Sequence, residues 1–223
     1  MTDITPPTHR YDYERDGRAI YRESFATIRR EVMLEHLPEG LHRAAVRIAH
    51  AAGDVGVVDE VAGTADVADA ALSALRAGAP VITDSQMLAS GVTRSRLPAD
   101  NEIICTLREP QVSALAQAWS TTRSAAAASL WAPHLAGAVV AIGNAPTALF
   151  HLLEMLLDGA PRPAVIVGMP VGFVGSAESK VALAEHRLAD DTQIPWLTVH
   201  GRRGGSAMAA AAINALATEQ EIL

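Results

Sequence analysis

The chain has 223 residues, 49% of them hydrophobic, and a formal net charge of −7. That length allows one large α/β domain or two small ones with a substantial core. The acidic balance argues against sequence-independent nucleic-acid binding, which depends on neutralising phosphates, although a cluster of arginines can still dominate one cleft. The first ten residues lack the apolar core of a signal peptide, and no run of about 18 apolar residues occurs. The expectation is a cytoplasmic protein with no membrane or nucleic-acid partner. Cys105 is the sole cysteine, so neither an intrachain disulfide nor a cysteine-based metal site is available. It sits in an apolar stretch and reads as a small buried hydrophobe.

Residues 1–12, with Pro6 and Pro7, read as a flexible lead, and residues 13–223 as the folded domain. Ile20, Phe25, Ile28 and Val32 recur at helical spacing and predict a helix over Tyr13–Met33. A second helix is expected over Leu41–Ala52, stopped by Gly53, and a third over Ala65–Ala77. Pro80–Thr83 reads as a buried strand leading into Asp84, an expected N-cap for a helix through Ala89. Glu102–Thr106 is a further strand candidate, and Gln111–Trp119 and Thr122–Trp131 look helical. Three strand–turn–helix units follow: Val139–Glu154, Ala164–Glu185 and Ile194–Leu216. This alternation predicts a single α/β domain, a mainly parallel sheet with helices on both faces.

Each late unit passes from an apolar run through a Gly- or Ser-rich turn into a helix. Such turns leave N–H groups pointing outward at the positive end of the helix dipole, a setting for anions. Several of them at the carboxyl end of one sheet suggest a ligand with several negative charges. Other chemistries lack their motifs. Gly168, Gly172 and Gly175 are spaced wrongly for a dinucleotide fingerprint, and Lys180, the only lysine, follows Ser179 rather than closing a phosphate loop. No histidine pair has metal-ligand spacing, and no Gly-x-Ser-x-Gly elbow occurs.

The segments AIGNAPTALFHLLE (141–154), PVGFVGSAESK (170–180) and GRRGGSAMAAAAINAL (201–216) strongly resemble the precorrin-8X methylmutases of cobalamin biosynthesis. So do AIYRESFATIRREV (19–32), VRIAHAAGD (46–54), ITDSQMLASGVTRSRLPADNEIICTL (82–107) and TTRSAAAASLW (121–131), so the resemblance covers nearly all the chain beyond residue 11. It implies a homodimeric α/β isomerase that moves a methyl group from C-11 to C-12 of precorrin-8X to give hydrogenobyrinic acid, without a cofactor. The substrate and product would be anionic tetrapyrroles, whose carboxylates suit the anion-binding turns. The anaerobic variant of the pathway would bring cobalt in with its substrate. A corrinoid carrier without chemistry is the alternative from another class.

The family's catalytic histidine stands in an Arg-x-x-His motif that matches Arg47-Ile48-Ala49-His50. His50 is therefore the expected acid/base. It lies in the last turn of its helix, where the negative helix end favours the protonated ring. The family often has a cysteine soon after this histidine, where Ala51 and Ala52 stand here. Arg47, three positions earlier on the same helical face, is expected to hold a carboxylate or orient the ring, and Ser24 matches a position expected to touch substrate. Thr83, Asp84 and Arg123 are further candidates for substrate contact, as are Asn144, Lys180, Arg203, Gly204, Gly205 and Ser206 in the late turns, with Ser176 beside them. His9, His36 and His151 are read as structural or peripheral, and His200 as a second-tier candidate. No residue is expected to hold a metal.

Overall fold

A computed structural model describes residues 4–220. Short apolar runs bounded by turn residues become strands: β2 (Val81–Thr83), β4 (Val139–Ile142), β5 (Val165–Gly168) and β6 (Trp196–Val199). All their residues are buried, as expected of parallel strands covered on both faces. With β1 (Val61–Gly63) and β3 (Ile103–Ile104) they form one six-stranded sheet in the order β1-β6-β5-β4-β2-β3. Every pairing is parallel except β1 with β6, where Val61 stands opposite Val199.

The period of two along each strand divides the core. Val81, Val139, Val165, Leu197 and Val199 point to one face, under α2 (His42–Ala52), α3 (Val67–Arg76), α4 (Gln86–Gly91) and α9 (Ser206–Leu216). Ile82, Val140, Ile142, Ile166 and Trp196 point to the other, under α6 (Arg123–Ser129), α7 (Pro146–Leu157) and α8 (Ser176–Glu185). Each fully buried Val, Ile or Leu stabilises the fold by about 1.5–3 kcal/mol. Small residues set the closest approaches: a Cβ on Gly91, the last residue of α4, would stand 2.7 Å from Ala210 Cβ of α9. The layered, mainly parallel architecture agrees with the sequence expectation.

Several boundaries differ. Residues 4–16 contain no helix or strand, and the first helix, α1, runs Gly17–Glu31 rather than from Tyr13. Asp16 fixes its start, its carboxylate accepting from Arg18 N. Residues 1–3 of the expected lead lie outside the described residues. Strand β1 was not anticipated, because a three-residue run with no alternation acquires its structure from pairing with β6. The expected strand over 102–106 shrinks to Ile103–Ile104, and α5 occupies Val112–Ala118. Gly53 ends α2 as expected, with φ 64° and its N–H bonded to the carbonyls of Ala49 and His50.

Because β2, β4, β5 and β6 run the same way, the turns that follow them collect at one edge of the sheet. β1 runs oppositely, so its start meets that edge, with His200 N–H donating to Glu60 O at 2.7 Å. The 3-10 segment Val55–Glu60 links the end of α2 to β1. The end of α2, whose last turn carries His50, is thereby brought to that edge, where Asp54 pairs with Arg203 of the turn after β6.

Candidate active site

His50 is half-buried where α1 crosses α2. Ser24 Oγ and His50 Nδ1 are 2.9 Å apart, and the Phe25 ring stacks on the imidazole at 4.9 Å and 17°. Tyr21, one helical turn before Phe25, packs against the same ring at 5.3 Å. Arg47 lies over the Phe25 ring, 5.3 Å from its centroid. The imidazole is thus held by a hydroxyl on one nitrogen and by two aromatic rings, which fixes its orientation. Burial lowers the His50 pKa below the usual 6.5, and the Arg47 charge lowers it further. That is opposite to the direction expected from the helix end: desolvation and a neighbouring cation both favour the neutral ring.

Helix α1 separates two cavities. The first, of about 810 Å³, is lined by His50, Ser24, Ile20 and Thr27, with Glu14, Glu23, Glu31 and Asp54 at its walls. The second, of about 590 Å³, contains Arg47, Arg18, Tyr21 and Arg96, with Thr93, Ser95 and Asp16. Arg47 and His50 share a helix but face different cavities, with the Tyr21 side of α1 between them.

The remaining candidates are mostly turned inward. Thr83 is fully buried and its hydroxyl donates to Ile104 O at 3.1 Å, so it braces β3 rather than facing a cavity. Asp84 does not cap α4; Ser85 does, its hydroxyl accepting from Leu88 N. Instead the buried Asp84 carboxylate accepts from the backbone N–H groups of Gly143, Asn144 and Ala145 at 2.8–3.0 Å. Its burial raises the carboxyl pKa, against the pull of those bonds. The turn before α7 is an anion site as its sequence suggested, but the anion is the protein's own. Asn144 is exposed, its N–H committed to Asp84.

Lys180 is buried, and Nζ donates to Gly201 O at 3.0 Å and to Arg203 O. Burial lowers its pKa to about 8, against the opposing pull of Glu60. It therefore shapes the 201–205 turn from beneath. Ser206 pairs with Ser85 at 3.0 Å, and Ser176 donates to Pro170 O. Gly204, at φ 157°, rests against Met169 O, and Gly205 N–H donates to the same carbonyl. Arg203 is half-exposed and pairs with Asp54 at 3.4 Å and Glu60 at 3.9 Å. It is the late-turn candidate that reaches the wall of the His50 cavity.

Arg123 is exposed at the start of α6, with its Nη2 donating to Leu107 O at 3.5 Å, and lines neither cavity. His36 bonds Val58 O and His151 bonds Ser129, while His200 packs edge-on against Trp196. His9 is exposed in the segment before α1, and Cys105 is only partly buried. Among the described residues no group of three or more His, Cys, Asp or Glu side chains is placed to hold a metal ion, and no helix is long and apolar enough to cross a membrane. Sequence reasoning missed Tyr21, Asp54 and Arg96. Tyr21 stood four residues before Phe25, a spacing that could have marked an aromatic pair on one helical face.

The fold is a layered α/β domain that holds a histidine at a helix end beside a cavity. The family model described as precorrin-8X methylmutase matches residues 19–219, and the chain belongs to that family. It is 59% identical over 210 residues to the precorrin-8X methylmutase of Pseudomonas aeruginosa, spanning 94% of this chain and 99% of that protein. It is 58% identical to the Sinorhizobium precorrin-8X methylmutase, over 93% of this chain and 97% of the relative. The cobalt-precorrin-8 methylmutase of Salmonella typhimurium is 36% identical, over 92% and 96%. The crystal structure of a Thermus thermophilus precorrin-8X methylmutase superposes with a TM-score of 0.79 at 37% identity, covering 90% of this chain and 95% of that one. The chain is an isomerase of cobalamin biosynthesis.

Proposed function

We propose that this enzyme moves a methyl group from C-11 to C-12 of metal-free precorrin-8X to give hydrogenobyrinic acid, with His50 as the acid/base. The observation that carries the reading is the held imidazole: Nδ1 is engaged by Ser24 at 2.9 Å and the ring is stacked on Phe25. In the protonated ring both nitrogens are donors. Nδ1 then donates to Ser24, and Nε2 is left to protonate the conjugated substrate, which lowers the barrier to a sigmatropic methyl shift. Return of the proton leaves the conjugated product, and no covalent intermediate or cofactor takes part. The metal-free substrate is supported by the higher identity to precorrin-8X methylmutases than to the cobalt-precorrin-8 enzyme.

Arg47 links binding to proton supply in this reading. Its charge depresses the His50 pKa in the free protein. A substrate carboxylate resting on Arg47 offsets that repulsion, so the imidazole gains its proton when the polyanion is in place. The protein is read as a cytoplasmic homodimer; the exposed Phe173 and Val174 of the loop before α8 support self-association.

The test is a visible-absorption time course with precorrin-8X. Wild-type protein should produce the product spectrum, and His50→Ala should still bind the ligand while its turnover falls by about 10²-fold or more. Binding without conversion by the wild type would favour a carrier or a preference for the cobalt-containing substrate. Unchanged turnover in His50→Ala would remove His50 from the chemistry.

A further inference from the structure

The end of α2 and the turn after β6 meet at Arg203. Asp54 directly follows Gly53, and its N–H donates to Ala49 O at 3.3 Å, closing the last turn of the helix that carries His50. Its carboxylate accepts from Gly56 N at 2.8 Å through Oδ1 and faces Arg203 Nη1 at 3.4 Å through Oδ2. Arg203 in turn belongs to a stretch whose three consecutive carbonyls are all held from the side of α8. Lys180 Nζ donates to Gly201 O at 3.0 Å and to Arg203 O, and Gly172 N–H donates to Arg202 O at 3.3 Å. We propose that Lys180 is a positioning residue for His50: it aims Arg203 at Asp54, and Asp54 fixes the helix end that presents the imidazole to its cavity. This rests on His50 as the acid/base of the reading above.

Each link in this path is a direct contact. Lys180 is fully buried on α8, whose first residue, Ser176, is tied to Pro170 O. An ammonium donates and cannot accept, so its place is set by the carbonyls it meets. Two of those carbonyls flank Arg202, which joins the turn to α8 as one body. On the far side of Arg203, Gly205 N–H donates to Met169 O at 2.9 Å. The backbone is therefore pinned before and after Arg203. That matters because the Arg203–Asp54 pair is about half-exposed on both sides. Such a pair gains little by itself, since two long side chains must be held in one geometry. A backbone already fixed on both sides lowers that entropic cost and keeps the guanidinium in reach of Asp54. Asp54 lines the same cavity as His50, so what Lys180 holds on one side of the sheet edge is felt at the helix end on the other.

The experiment compares wild type, Lys180→Met, Arg203→Ala and the double variant, in turnover of precorrin-8X and in amide hydrogen exchange of the free protein. Lys180→Met keeps the apolar stem and removes the donors. Each single variant should lower kcat about fivefold, the upper end for a half-exposed ion pair, with KM within about twofold. The double variant should lose no more than the worse single one, because both act on one path. Exchange at Gly53, Asp54 and Gly56 should rise by about the same fivefold in both single variants. Thr106→Val, which removes a buried hydroxyl bonded to Ala127 O and Trp131, is the control for lost stability alone. It should leave kcat and exchange at 53–56 within about twofold of wild type. Should Lys180→Met fail to fold, Lys180→Gln, which keeps an N–H donor on a shorter stem, carries the same comparison. Losses that multiply in the double variant, or unchanged exchange at 53–56 in the Lys180 variant, would overturn the link and leave Lys180 as a brace for its turn alone. If His50→Ala keeps full turnover, the acid/base reading fails, while exchange at 53–56 still decides whether Lys180 holds the end of α2.

Discussion

At the scale of single residues, His50 is held so that its proton is easily lost. Burial first and Arg47 second place its pKa below 6.5 in the free protein. In the proposed mechanism the active form is the protonated one, so activity should fall as pH rises. The pH profile of kcat/KM reports the free enzyme and should break below 6.5, whereas that of kcat reports the complex and should break at higher pH. Arg47→Gln removes a cation and should move the His50 transition upward in the free protein, read by NMR titration of the ring against the His50→Ala spectrum. A transition that stays in place, or moves down, would mean that Arg47 does not set this pKa. Arg47 was visible in the Arg-x-x-His spacing. The two rings that hold the imidazole were not, because Phe25 and Tyr21 meet it only where α1 crosses α2.

At the scale of elements, the turns at the carboxyl edge are held by the protein itself. Asp84, at the end of β2, accepts three N–H groups from the turn between β4 and α7. Asp84→Ala leaves those buried donors without their acceptor and should cost about 2–4 kcal/mol, seen as a lower urea midpoint. Asp84→Asn, which keeps an acceptor, should lose less. Gly204 is a second such point: a Cβ there would lie 2.4 Å from Met169 O, at a φ of 157° that side chains rarely adopt. Gly204→Ala should cost about 1–3 kcal/mol in the same assay, since the backbone must shift. Stability equal to wild type in either variant would mean that the turn relaxes freely. The strand–turn–helix units were legible because apolar runs and Gly/Ser turns are local signals. Which acceptor fills a turn was not, since Asp84 lies about sixty residues from the N–H groups it binds.

At the scale of the whole molecule, Arg123 and His50 stand apart in one chain. Arg123 begins α6, where Thr122 pairs with Thr147 of α7 at 2.8 Å. Gly175, at the end of the exposed 171–174 loop, approaches Pro146 and Phe150 of α7. Phe173 is 85% and Val174 88% exposed, so an apolar patch and an arginine share one side of the sheet edge. A dimer in which Arg123 reaches the other protomer's substrate is tested by complementation. Co-expressed His50→Ala and Arg123→Ala chains should then regain activity that neither variant shows alone. Light scattering should report a dimer that Phe173→Asp with Val174→Asp weakens. A fully active Arg123→Ala protein, or mixed chains no more active than the separate variants, would confine the site to one protomer.

The sequence by itself determined the layered α/β architecture, the end of α2 at Gly53, the placement of His50 in its last turn and the family. These follow from local periodicity, turn chemistry and rows of matching residues. It could not determine what each polar group faces. Thr83, Asp84, Lys180 and Ser206 looked like ligand contacts because polar residues in Gly-rich turns at a sheet edge commonly are. Three-dimensional packing supplied each with an internal partner instead. That Arg47 and His50 line different cavities was likewise decided only in the tertiary structure, because it depends on how α1 packs across α2. Propensity acts over a few residues, whereas a site is set by contacts between segments far apart in the chain.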